Sequence, residues 1–189
     1  MHSVVTVLIV AALAFLGTMF DNLFAFAAQL ALTGPKHYRR VSWAQVLGVL
    51  TLLAVAGAVS SLLAPIPTKW IGLLCVAPWA LGAYAWRHRH DPPREQFRRG
   101  AVTTFTLTLA LGGDNLAVWI PLLRANGVAY GLITAAVFVT GEALFVLGAQ
   151  MLARHPRVVQ WGIKYSPALV PWVYLALGVL VLVESGTLA

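Results

Sequence analysis

The sequence predicts an all-α membrane protein: six transmembrane helices forming two inverted three-helix repeats, with both termini outside. Three observations predict this fold. First, 60% of the 189 residues are hydrophobic and 10% are charged, with a mean hydropathy of +0.82. A soluble domain has roughly 45–50% apolar and about 25% charged residues. Second, the apolar residues are gathered into six runs, each near or above the ~20 residues a helix needs to cross a bilayer. Third, a set of polar and helix-breaking residues recurs at a fixed offset of 93 positions. This composition excludes a water-soluble enzyme and a disordered chain. It also excludes a disulfide scaffold or a thiolate metal cage, because Cys75 is the only cysteine.

The expected spans are Val4–Thr33, Val41–Leu63, Lys69–Trp86, Ala101–Leu123, Val128–Ala153 and Pro167–Ser185. The first contains Ala25-Phe26-Ala27, which resembles a signal-peptidase site. Its leading residues lack Lys and Arg and its apolar stretch is too long, so a retained helix is expected. The longest link, Arg87–Arg99, has Asp91-Pro92-Pro93 as its breaker. Residues 1–86 then form one repeat, 87–99 a basic link, and 100–189 the second repeat.

Orientation follows from the basic residues. Lys36, Arg39 and Arg40 follow span 1; Arg87, Arg89, Arg94, Arg98 and Arg99 follow span 3; Arg154, Arg157 and Lys164 follow span 5. The remaining links hold only Lys69 and Arg124. The positive-inside rule puts the first, third and fifth links in the cytoplasm and both termini outside, which an even number of spans permits. It also accounts for the net charge of +7 and the pI near 10.2, which in a soluble protein would point to nucleic acid. No nucleic-acid partner is expected; the bilayer is the surface the chain meets.

The repeat is ungapped. Asp21-Asn22-Leu23 returns as Asp114-Asn115-Leu116, Gly34 as Gly127, Gly48 as Gly141, and Pro78-Trp79 as Pro171-Trp172. Leu and Val match by chance in apolar sequence, but an Asp-Asn pair and a Pro-Trp pair in one register do not. Each half has three spans, so the second inserts upside down relative to the first. Secondary transporters with this architecture place their sites near mid-membrane, at the repeat interface.

The candidate site residues are the acids inside the spans. Asp21 and Asp114 lie roughly 18–20 Å from the cytoplasmic ends of their helices at 1.5 Å per residue, a little past the middle of a core about 30 Å thick. Glu142 lies mid-way along span 5. An ionised carboxylate at that depth costs about 2.5–3.5 kcal/mol, and no Lys or Arg lies at comparable depth to neutralise it. Each acid must therefore carry a proton, hold a cation or face water. The alternative for the aspartates is a protonated pair that only ties helices together. Asn22 and Asn115 add neutral oxygens, and Gly112-Gly113 can open the helix so that carbonyls turn inward, a donor set that suits divalent cations. Glu142 has no acidic twin, its repeat partner being Val49. It reads as a third ligand, a proton carrier or a packing residue.

Around these acids, Gln29, Gln45, Thr106, Thr108 and Gln150 are candidate supporting donors, although threonine in a membrane helix usually bonds its own backbone. Met19 and Cys75 are the candidate soft atoms near such a site, although each residue type is more often simple apolar packing. Pro78, Pro121 and Pro171 are candidate kinks or hinges. His88-Arg89-His90 could capture a metal, but the surrounding arginines would repel a cation, so a solvated basic loop is expected. No triad order, zincin motif or phosphate-binding glycine loop is present, and an enzyme is not expected.

Gly112-Gly113-Asp114-Asn115 with Ile120-Pro121, Asp21 after Gly17-Thr18, and Gln45-Val46-Leu47-Gly48 give the chain a recognisable pattern. So do Lys164-Tyr165-Ser166, Val173-Tyr174-Leu175, Leu177-Gly178 and Glu184-Ser185-Gly186-Thr187 near the C-terminus. The sequence resembles the CadD-type cadmium-resistance transporters, grouped with the LysE-type exporters, over nearly its whole length. The resemblance implies export of Cd²⁺, and of Zn²⁺ as a second substrate, across a bacterial inner membrane. Glu142 departs from that family's pattern.

Expelling a divalent ion against −100 mV costs about 4.6 kcal/mol, at roughly 2.3 per charge. No ATP-binding motif is present, so export needs an antiported cation, and protons are the expected one, with no cofactor. The metal would be held by Asp21, Asn22, Asp114, Asn115 and Glu142. Taken alone, oxygen ligands fit Mn²⁺ or Ca²⁺ as well as Cd²⁺. An exporter of a cationic amino acid or amine boxed by Trp119, and an assembly subunit of a larger complex, are the other classes. A homo-oligomer is left open.

Overall fold

In hydrocarbon the backbone has only itself to hydrogen-bond with, so long apolar runs fold as helices. The computed structural model describes residues 3–89 and 100–185, with Thr68 and Lys69 described in backbone only, and every regular element among them is helical. The Asp91-Pro92-Pro93 breaker, His2, His90, Arg94, Arg98, Arg99 and the Gly186-Thr187 end of the C-terminal motif lie outside the described residues.

Helix α1 (Val4–Thr33) starts at Ser3, whose Oγ accepts the Thr6 N–H at 3.1 Å and so satisfies one of the free donors of the first turn. It ends at Gly34, and a 3₁₀ turn (Pro35–His37) leads into α2 (Tyr38–Leu62). Arg124 closes the far end of α2. Its Nε donates to the Leu63 carbonyl at 2.9 Å, and its Nη2 to those of Ala64 and Ile66 at 2.7 Å each.

The third run departs from the single helix expected over Lys69–Trp86. It consists of α3 (Thr68–Ile71), a 3₁₀ turn (Gly72–Cys75) and α4 (Val76–His88). Pro78 explains the interruption: it has no N–H to offer the Leu74 carbonyl, and its ring crowds that carbonyl, so the chain just ahead tightens.

The fourth run also breaks. Helix α5 (Ala101–Leu111) stops at Gly112, and α6 (Gly113–Leu152) begins beyond it. As a straight rod, the 40 residues of α6 would be about 60 Å long. They are not a straight rod. Gly127 has φ 64° and ψ −172°, a conformation confined in practice to glycine. Trp119 and Phe138 would be roughly 28 Å apart along one helix, yet their ring centroids are 4.7 Å apart. Across the turn, Asn126 Nδ2 donates to Thr134 Oγ1 at 2.9 Å. Helix α6 is therefore two antiparallel legs, 113–126 and 128–152. Gly34, 93 positions before Gly127, has φ 83° and ψ 157°, the same glycine-only region of backbone space.

Helix α7 (Pro156–Glu184) opens with proline in its first turn and begins eleven residues before the expected Pro167. Arg157 and Lys164 thus lie on the helix, not in a link. Likewise α2 begins at Tyr38, ahead of the expected Val41. Hydropathy marks where a helix can dissolve in lipid, whereas the helix continues into the headgroup layer wherever its hydrogen bonds can.

Among the described residues, four stretches are long and apolar enough to cross a membrane: Val4–Thr33, Pro35–Leu62, Gly113–Leu152 and Pro156–Glu184. Only 33–39% of the most apolar window of each is buried. The rest presents large side chains outward, among them Leu16, Trp43, Leu62, Leu132 and Leu144. Lipid is the solvent such faces require, and the chain is an α-helical multi-pass membrane protein.

In the core, α1 packs on α6 and α7, α2 on α5 and α6, and α4 on α7. Phe15, Trp119 and Phe138 form its aromatic centre. Glycines set the closest crossings. A Cβ on Gly48 would lie 2.7 Å from Thr108 Cγ2, and one on Gly141 would lie 2.8 Å from Phe15 Cδ1. Both members of the first contact are 93 positions from a member of the second.

Candidate functional site

Asp21 and Asp114 make the same local contact. Asp21 Oδ1 accepts the Asn22 N–H at 2.9 Å, and Asp114 Oδ1 accepts the Asn115 N–H at 2.7 Å. In an undisturbed helix such an N–H belongs to the carbonyl four residues back. On α1 the Asn22 carboxamide also reaches the carbonyl four residues back, Nδ2 to Thr18 O at 3.4 Å. On the other side, the break at Gly112 leaves Asp114 in the first turn of α6, at the positive end of the helix dipole.

The two half-buried carboxyls are close enough to act electrostatically on each other, and both act on Tyr174. The Tyr174 hydroxyl donates to Asp114 Oδ2. Asn115 is buried; its Nδ2 faces Met19 Sδ at 3.6 Å, and its Oδ1 has no hydrogen-bond partner among the described residues. Behind it, Trp119 Nε1 donates to Thr18 Oγ1 at 3.2 Å. Two carboxyl groups, a buried carbonyl oxygen without a donor and a thioether sulfur are thus gathered at the α1–α6 contact. No described lysine or arginine ion-pairs with either aspartate. This donor set can neutralise a divalent cation, and the sulfur adds a soft ligand.

Glu142 does not join this group. Among the described residues, no three His, Cys, Asp or Glu side chains come together as a metal site. Glu142 lies on the second leg of α6, 1% exposed, with no hydrogen-bond partner for either carboxyl oxygen. The supporting polar residues fall into pairs: Gln29 Nε2 donates to Thr104 Oγ1 at 2.7 Å, Thr108 Oγ1 lies 2.7 Å from Gln45 Oε1, and Gln150 Nε2 donates to Ser42 Oγ at 3.0 Å. Thr106 bonds its own backbone, to the Val102 carbonyl at 3.0 Å. Gly112 and Gly113 stand at the helix break beside Asp114. Pro121 and Pro171 sit inside helices whose backbone stays helical through them, and Pro78 follows the 3₁₀ turn.

A family model described as cadmium resistance transporter matches residues 15–189. The chain belongs to the cadmium resistance transporter family. No curated protein and no solved structure matches it. The family is one of transporters, and membership suggests metal-ion efflux rather than catalysis. For a cadmium resistance transporter the notable additions to the sequence-derived set are Tyr174, Thr18 and the placement of Met19. Tyr174 carried one legible signal: tyrosine favours the membrane interfaces, whereas Tyr174 lies well inside its span. Its partner, 60 positions away, could not be read from the sequence.

Proposed function

We propose that this protein is a secondary transporter that exports Cd²⁺, and Zn²⁺ as a second substrate, from the cytoplasm in exchange for protons. Asp21 and Asp114 bind the ion, assisted by Asn22, Asn115 and Met19. The observation that carries this reading is the pair of half-buried aspartates, one from each half of the chain, beside the orphaned Asn115 oxygen and the Met19 sulfur. In the inward-open state the ionised pair takes the metal. In the outward-open state protons displace it, and two protons for one divalent ion leave the charge of the site unchanged. The Met19 sulfur favours Cd²⁺ over the harder Mn²⁺ and Ca²⁺.

The architecture we propose has six crossings, N-out and C-out. Residues 1–86 and 100–189 form two inverted repeats joined by the basic link 87–99. The matched conformations of Gly34 and Gly127, the matched crossings of Gly48 and Gly141, and the duplicated Asp–Asn contact support it. A bacterial inner membrane is the proposed location.

Purified protein in proteoliposomes tests this reading, with metal-sensitive dye flux compared for Cd²⁺, Zn²⁺ and Mn²⁺ with and without a pH gradient. Cd²⁺ flux faster than Mn²⁺ flux and accelerated by the gradient is the expected result. Flux of no metal would overturn the proposal in favour of an organic-cation exporter. A gradient-insensitive Cd²⁺ flux would remove protons as the coupling ion.

Tyr174→Phe tests the support of the site. Hydrogen-bond donors behind metal ligands typically contribute 10–100-fold to affinity. Calorimetric Cd²⁺ titration of this variant is expected to show a dissociation constant about 10–100-fold higher, with the fold retained. An unchanged constant would place Asp114 Oδ2 outside the metal's coordination.

A further inference from the structure

An open groove of about 560 Å³ runs where the first turns of α2 pass the last turns of α6. Helix α2 lines it from Tyr38 to Val46 and the second leg of α6 from Ala143 to Gln150, so each half of the chain supplies one wall. Both walls end at basic stretches, with Lys36, Arg39 and Arg40 at one and Arg154 and Arg157 at the other. No Asp or Glu occurs between residues 34 and 46 or between 143 and 160. Arg39 is exposed and lines the groove, and no described acidic side chain pairs with it.

The chemistry of the walls changes in order along their length. Arg39 stands at the end. One turn further in, Gln150 Nε2 donates to Ser42 Oγ at 3.0 Å across the groove, and the pair keeps a further polar hydrogen for an outside acceptor. Beyond them the walls are apolar, with Val46 on α2 and Val146 and Leu147 on α6. Arg39 and Val46 are about 10 Å apart along the helix axis. Trp43, 59% exposed, lies between these levels, and tryptophan favours the boundary between headgroups and hydrocarbon. A cation, then a polar pair, then an apolar trough follow the order of phosphate, ester and acyl chain in a phospholipid. A free phosphate would use only the first of these. A second copy of this chain seated face to face would bring the same basic cluster against itself, which like-charge repulsion opposes.

We infer that this groove binds a phospholipid with an anionic headgroup, held by Arg39 at the phosphate, by Ser42 and Gln150 at the ester oxygens, and by Trp43, Val46 and Leu147 along the start of one acyl chain. The arginine fork matches phosphate oxygens, and basic pockets between membrane helices on the cytoplasmic side take anionic headgroups. Because the walls come from different halves of the chain, the bound lipid fastens α2 to α6 and stabilises their contact. The orientation proposed above puts the groove in the cytoplasmic leaflet; the metal/proton exchange plays no part in the inference.

Native mass spectrometry of the full-length protein in detergent tests this, with phosphatidylglycerol or phosphatidylcholine of the same acyl chains added. The wild type is expected to retain phosphatidylglycerol in preference to phosphatidylcholine. Arg39→Gln should weaken that retention at least about fivefold, the value of one basic contact. Arg40→Gln makes the same charge change outside the groove and should retain the lipid like the wild type. Both arginines are exposed, so neither substitution disturbs the core. Phosphatidylglycerol should also raise the melting temperature of the wild type and not that of R39Q. Equal retention of the two lipids, or equal losses in R39Q and R40Q, would reduce the effect to general attraction and overturn the site. Inorganic phosphate that stabilises the wild type as well as phosphatidylglycerol does would make the occupant a free anion and refute the proposal. So would a lipid-free dimer that Trp43→Ala dissociates, because the occupant would then be a second copy. These readouts hold whether or not the protein moves metal.

Discussion

Replacing either aspartate by its amide, Asp21→Asn or Asp114→Asn, is expected to reduce Cd²⁺ flux to that of protein-free liposomes and leave the fold intact. The change is isosteric and removes one of the two negative charges that offset the ion's two positive ones. The remaining site would hold a divalent cation at low dielectric with a net positive charge, a penalty the neutral oxygens of Asn22 and Asn115 cannot offset. Affinity should fall by more than about 100-fold, beyond the usual effect of losing a supporting hydrogen bond. The unliganded variants should not be less stable, because each substitution also removes the repulsion between the two carboxyls. Thermal unfolding separates these effects. At 100 times its dissociation constant Cd²⁺ should stabilise the wild type by about 2.7 kcal/mol, and the same concentration should stabilise either variant by no more than about 0.4 kcal/mol. Full transport in either variant would place the ion elsewhere.

How much of this could be read beforehand depended on how strong a physical signature each feature leaves in one dimension. A carboxylate inside a hydrophobic run is costly enough to stand out, so Asp21, Asp114 and Glu142 were all legible as candidates. A glycine that must adopt positive φ also leaves a mark, and the Gly34/Gly127 match marks two of the turns at which the chain leaves a helix. The interruption ahead of Pro78 was only half legible. The proline was expected to bend a helix, but its effect on the preceding Leu74 carbonyl tightened a whole turn into 3₁₀ geometry. The early start of α7 at Pro156 was not legible from hydropathy, because its polar first turns lie beyond the segment that must dissolve in lipid. The Tyr174–Asp114 hydrogen bond and the approach of Met19 to Asn115 depend on how helices rotate against one another. Side-chain volumes across several interfaces set that rotation together, and no local window of sequence contains it. The same holds for Glu142: its burial was apparent, but its separation from the aspartates follows from the face of the second leg of α6 that carries it.

The paired crossings make the inverted repeat testable without any transport assay. Gly48→Val and Gly141→Val are expected to destabilise the protein by similar amounts, because each forces a branched side chain into a crossing already too tight for one methyl. A Cβ alone would lie 2.7 Å from Thr108 in the first case and 2.8 Å from Phe15 in the second. Overpacking of a well-filled interior typically costs 1–3 kcal/mol per site, and in a membrane the close approach of small residues is itself a source of helix association. The two sites lie on different helix pairs and share no partner, so the costs should add to roughly 2–6 kcal/mol in the double variant. Detergent-resistance and thermal-unfolding curves of the two single variants and the double variant measure this. The variants should differ in one respect. Phe15 also packs on Trp119, whose indole reaches Thr18 beside the aspartates, so G141V should weaken Cd²⁺ binding as well as stability. G48V acts through Thr108 and should leave Cd²⁺ affinity close to that of the wild type. A large loss at one glycine with none at the other would show that the matched positions do not perform matched structural roles.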